Sequence, residues 1–67
     1  MITLHINGRM RQFPPVANLV ELLENLGLTG KRIAVERNGE IVPKSQHATT
    51  PVNDGDHLEI VVAVGGG

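Results

Sequence analysis

One stretch of this 67-residue chain carries a helical apolar stripe, and it is short. Leu19, Leu22, Leu23 and Leu26 recur at i, i+3, i+4 and i+7. A lone stripe of that length must be buried against another layer, and the segments around it read as strands. Both helix ends are specified locally. Asn18 is an N-cap with Glu21 three residues on, as in a capping box, and Ala17 and Leu22 occupy the hydrophobic-staple positions. Gly27 is placed to take the left-handed conformation that closes a helix, with Leu28 folding back on Leu23.

The strands follow from period-2 alternation. Ile2, Leu4 and Ile6 point one way, Thr3 and His5 the other. Asn7-Gly8 is a two-residue hairpin signal, and Arg9 to Phe13 reads as the returning strand, with Met10 and Phe13 interrupting its alternation. Pro14-Pro15 ends it, since neither residue can donate to a ladder. Ile33 to Arg37, the turn Asn38-Gly39 and Glu40 to Val42 form a second hairpin, stopped by Pro43. Residues 44–52 are polar and irregular, with room for one short helical turn. The turn Asn53-Asp54-Gly55-Asp56 leads into a last strand, with Leu58, Ile60 and Val62 inward and His57, Glu59 and Val61 outward. The first and last strands alternate best. An α+β fold uses every stripe: a small mixed sheet with those two strands at its centre and the helix across one face. This is the β-grasp arrangement, expected over residues 1–64, with a flexible glycine tail over 65–67.

Size and composition exclude several function classes. A chain this short buries only about 60% of its unfolded surface, so a deep catalytic pocket would compete with the core. A binding or carrier module is expected rather than an enzyme. Six Lys and Arg against seven Asp and Glu give a net charge of −1, which removes the electrostatic case for nucleic acid or anionic membranes. A single Phe, without Trp or Tyr, makes base stacking on an aromatic platform unexpected. No apolar run approaches the ~20 residues of a membrane span. The chain opens on an alternating strand rather than a basic, then apolar, leader, so a cytoplasmic location is expected. With no cysteine there is no disulfide, no thiol nucleophile and no thiolate ligand.

Few residues are placed for chemistry. His5, His47 and His57 lack the spacing of a zinc site and read as surface histidines, so no metal site is expected. Asp54-Gly55-Asp56 is a turn rather than a calcium loop, and Arg9/Arg11 and Lys31/Arg32 read as solvated faces. Val61 and Val64 are exposed apolar residues near the chain end. They are either a docking patch or scattered surface groups. Gly65-Gly66-Gly67 likewise has two readings: a frayed end, or an extended tail able to enter a tunnel that would reject a Cβ. A tail of the second kind delivers its own carboxylate, which becomes an acyl donor once ATP converts it to an acyl-adenylate.

Several segments match a known family. Ala34 to Pro43, Lys44-Ser45-Gln46-His47, Asn53 to Val61 and the final Gly66-Gly67 make the chain resemble the ThiS family of sulfur carriers over its full length. The resemblance implies a ubiquitin-like fold in which Gly67 is the reacting residue. A ThiF-like, E1-type adenylyltransferase would use MgATP to adenylate Gly67. A persulfide donor protein would supply sulfur, leaving a thiocarboxylate. A ThiG-like thiazole synthase would take that sulfur to form the thiazole of thiamine. The carrier itself binds no cofactor in this scheme. Two other readings share the fold and the Gly-Gly end: the small subunit of molybdopterin synthase, and a conjugation tag in the manner of ubiquitin. An interaction domain with an inert tail is the third.

Overall fold

The computed structural model describes residues 1–63. In chain order the elements are β1 (Ile2–Ile6), β2 (Arg9–Phe13), α1 (Leu19–Asn25), β3 (Ile33–Arg37), β4 (Glu40–Val42), a 3₁₀ turn (Lys44–Gln46) and β5 (His57–Val62). The sheet order is β2-β1-β5-β3-β4, so β5 is the middle strand. It pairs parallel with β1 and antiparallel with β3, while β1–β2 and β3–β4 are antiparallel hairpins. This is the mixed sheet with one helix expected of a β-grasp domain.

The helix forms as its capping residues dictate. Asn18 is extended and its side chain accepts from the Glu21 N–H at 2.9 Å. The Glu21 carboxylate reaches one residue beyond the cap, accepting from the Ala17 N–H at 3.2 Å rather than from Asn18. Ala17 is exposed and makes no staple; Val16 packs on the core instead. The Leu19 N–H, otherwise unpaired at the first turn, donates to the Thr50 carbonyl at 3.1 Å. At the other end Gly27 has φ +73°, and the Leu28 and Gly27 amides donate to the Leu23 and Glu24 carbonyls at 2.9 and 3.0 Å. That pair of bonds is the Schellman closure.

Leu19, Leu22 and Leu23 of α1 lie against Leu4, Ile6, Val35, Leu58 and Ile60 of the sheet, with Phe13 and Val52 completing the core. Phe13 faces Ile2 across the hairpin and is buried. Arg11, on the same side of this edge strand, lays its guanidinium 5.2 Å from the Phe13 ring centroid. Val52 belongs to a segment whose polar composition conceals its role: it is 7% exposed, while its neighbours Pro51 and Asn53 are exposed.

Candidate functional site: the root of the tail

The candidate site begins where β5 ends. β5 holds register with β3 from Arg37↔Leu58 to Ile33↔Val62, and the Ala63 N–H donates to the Arg32 carbonyl at 2.9 Å. The expected tail residues Gly65, Gly66 and Gly67, and the expected docking residue Val64, lie outside the described residues. Val61, the other docking candidate, is 61% exposed on the face away from α1. It alternates with Ile60, which is buried, so the strand presents Val61 because its neighbours anchor it.

Two turn asparagines fix β5 along its length, a role that reading them as turns alone missed. Asn7 and Asn38 both take left-handed backbone conformations, φ +51° and +50°, and each is followed by a glycine. β1 stops pairing at Ile6, but the Asn7 side chain continues its ladder. Its Nδ2 donates to the Ile60 carbonyl at 3.0 Å, and its Oδ1 accepts from the Ile60 N–H at 2.8 Å. On the other side of β5, Asn38 Oδ1 accepts from the His57 N–H at 2.9 Å, and the Asn38 N–H donates to the His57 carbonyl at 2.7 Å. The repeated Asn-Gly was visible in the sequence; the partner strand of each amide was not.

Asp56 secures the start of the strand. Its carboxylate accepts from Arg37 Nε at 3.0 Å, the Asn53 N–H at 2.9 Å and Asn38 Nδ2 at 3.2 Å. Burial by itself would raise this carboxyl's pKa. The bonds from Asn53, Asn38 and Arg37, with the Arg37 charge, outweigh burial and hold it below its ordinary value.

The histidines correct the surface assignment in part. His47 is buried, 4% exposed, because the 3₁₀ turn folds the chain back under β4, and its Nε2 donates to the Val42 carbonyl at 3.1 Å. His5 is half-buried and His57 exposed, and their rings stack with centroids 4.2 Å apart and 2° between planes. Among the described residues no three histidine or carboxylate groups are placed to hold a metal ion. No helix among them is long and apolar enough to cross a membrane.

Comparison with known proteins agrees with this architecture. The ThiS family model matches residues 4–67. A thiazole synthase of Paramagnetospirillum magneticum is 53% identical over 64 residues, which cover 96% of this chain but 20% of that protein. The sulfur carrier protein ThiS of Bacillus subtilis is 35% identical over 65 residues, covering 96% of this chain and 98% of that one. The crystal structure of a thiamine biosynthesis protein (ThiS) from Geobacter metallireducens superposes with a TM-score of 0.82 at 32% identity, covering 98% of this chain and all of the other. With the family model spanning nearly every residue and a relative of matching length above a third identity, the chain belongs to the ThiS family.

Proposed function

We propose that this sulfur carrier of thiamine biosynthesis holds its sulfur on the Gly67 carboxylate. One observation supports the reading most: the middle strand of the sheet ends at Val62, five residues before Gly67, and the sequence that follows it is Ala63-Val64-Gly65-Gly66-Gly67. The family match includes those residues. The chain has no cysteine, so no thiol competes for the role.

The chemistry is that of a poor acyl donor made good. A ThiF-like adenylating enzyme joins the Gly67 carboxylate to the α-phosphate of MgATP and releases pyrophosphate. The terminal sulfur of a donor protein's persulfide then attacks the acyl carbon and AMP leaves, forming an acyl disulfide. A second thiol reduces that S–S bond, freeing the thiocarboxylate. A ThiG-like thiazole synthase consumes it. The thiazole synthase that contains a stretch 53% identical to this chain supports that last partner. The chain is thus substrate and carrier, its partners are enzymes, and the setting is cytoplasmic.

Two measurements test the proposal. Incubation with the adenylating enzyme, MgATP and a persulfide donor exchanges one terminal oxygen for sulfur, and fragment masses place it on Gly67. Sulfur on an internal residue, or exchange without ATP, overturns the assignment. Gly66→Val is expected to leave the melting temperature unchanged and to abolish pyrophosphate exchange, because a β-branched side chain widens and stiffens the tail. Equal exchange by both proteins rejects the narrow channel. The intact mass of the protein from its own cells shows whether Gly67 is its native end.

A further inference from the structure

The outward sheet face holds a feature that the tail chemistry leaves unused. Glu36 on β3 and Glu59 on β5 stand directly opposite one another. Like charges at opposed positions of neighbouring strands are destabilising. Neither carboxylate is relieved internally: the only ion pair among the described residues is Arg37–Asp56. On the other side of β5, His5 and His57 are also opposed, and their rings are the stacked pair. A single depression of about 440 Å³ takes in all four of these side chains. Gly8 and Gly39 border it, and the space that a Cβ would fill at either one is open.

The outward strand positions of this face carry no lysine or arginine. Its outward positions are Thr3, His5, Met10, Gln12, Ala34, Glu36, Ile41, His57, Glu59 and Val61. Arg9, Arg11 and Arg37 are at the opposite parity, and Lys31, Arg32 and Lys44 lie outside the strands. The depression therefore combines two unpaired carboxylates, a flat imidazole face and a rim without side chains.

We propose that this depression receives an arginine side chain of the adenylating enzyme. A guanidinium is planar and permanently charged. It can bond both carboxylates through its fork of donors while lying against an imidazole. A lysine supplies a point charge and cannot stack. The four groups are not placed to hold a metal ion. Position ties the depression to the tail: Val61, 61% exposed, follows Glu59 by two residues on the same face and precedes Ala63 by two. An enzyme seating an arginine beside Glu59 covers Val61 and is led along β5 to the chain end. The repulsion between Glu36 and Glu59 is relieved only in the complex. The enzyme's identity rests on the sulfur-carrier reading; the arginine chemistry does not.

Two experiments decide it. The double variant Glu36→Gln/Glu59→Gln, shown by its melting temperature to be folded, is expected to bind the adenylating enzyme roughly tenfold more weakly, with a shallower salt dependence. Measured at saturating carrier, its kcat for pyrophosphate exchange stays within about twofold, since both carboxylates lie on the sheet face and not at the reacting carboxylate. Unchanged affinity overturns the proposal. In the second experiment, ¹⁵N-labelled chain is titrated with N-acetylarginine amide and, separately, with N-acetyllysine amide. Arginine-selective shifts at Glu36, His57 and Glu59, lost in the double variant, support the depression as the receiver. An equal response to lysine, or none to arginine, overturns it. A wild-type chain that is never adenylated overturns the sulfur-carrier reading instead, and the titration still stands.

Discussion

The two faces of the sheet are made by the same strands and obey opposite rules. On the α1 side, Leu4, Val35, Leu58 and Ile60 are all at most 7% exposed and entirely aliphatic. On the open side, alternate residues of those strands are two histidines, two glutamates, Thr3, Ala34 and Val61. The covered face supplies nearly all of the fold's cohesion, because there is no disulfide and only one Phe to help it. The open face is released from that duty. It tolerates an arrangement that lowers stability, the Glu36–Glu59 opposition, and so is available for recognition.

Substitutions break this contrast by different amounts. Leu58→Ala carries the largest expected effect: a fully enclosed side chain leaves a cavity and costs about 2–5 kcal/mol. A chain of this length has roughly 3–10 kcal/mol in all, at about 0.05–0.15 per residue, so urea unfolding should find the variant largely unfolded at 37 °C. Asp56 joins the two hairpins at the rim, and Asp56→Ala strands the Asn53 N–H and the Asn38 amide, for a loss of about 1–3 kcal/mol. Its pH dependence has a definite sign. The folded carboxyl titrates below the unfolded one, so its contribution is complete above about pH 4. As the pH falls through the lower, folded value the contribution disappears. Melting curves of wild type and Asp56→Asn should therefore differ at neutral pH and converge in acid.

Asn18→Ala, which weakens the helix covering the inner face, is expected to cost about 1 kcal/mol by denaturant titration. It should leave adenylation intact wherever the protein is folded. The smallest effect has the opposite sign. Glu36→Gln removes a cross-strand repulsion and should raise stability by about 0.2–1 kcal/mol while weakening enzyme binding. A variant that lost stability and binding together would show that the open face is structural after all.

The local layer of this fold was legible in the sequence. Alternation located β1 and β5, Asn-Gly turns and prolines bounded β2 and β4, and Asn18 and Gly27 marked the helix ends, because each signal lies within a few residues of its effect. What escaped depends on partners far along the chain. Asn7 bonds Ile60 across 53 residues, and nothing near Asn7 names that partner. His47 reads as a surface residue until the 3₁₀ turn tucks it beneath β4. Val16 rather than Ala17 packs beside the helix, one residue before the staple position. For the site, alternation put His5, His57 and Glu59 on outward faces, but only the register brought Glu36 opposite Glu59 and His5 opposite His57.

The position of β5 also governs when the fold can exist. β1–β2 and β3–β4 are local hairpins that can form early, yet among the described residues they join one sheet only through β5, which follows both in the chain. Until β5 arrives, the nascent protein is two ribbons with an empty slot between them. Filling it brings His5 to His57 and closes a loop of some fifty residues, at an entropic cost that grows with the logarithm of loop length. Such long-range closure is the slow step expected of a high contact-order topology. The element that completes the hydrophobic layer is therefore the one that leads toward Gly67, the proposed site of sulfur attachment. An adenylating enzyme of the proposed kind, recognising the finished sheet, would engage only chains in which β5 has already been placed.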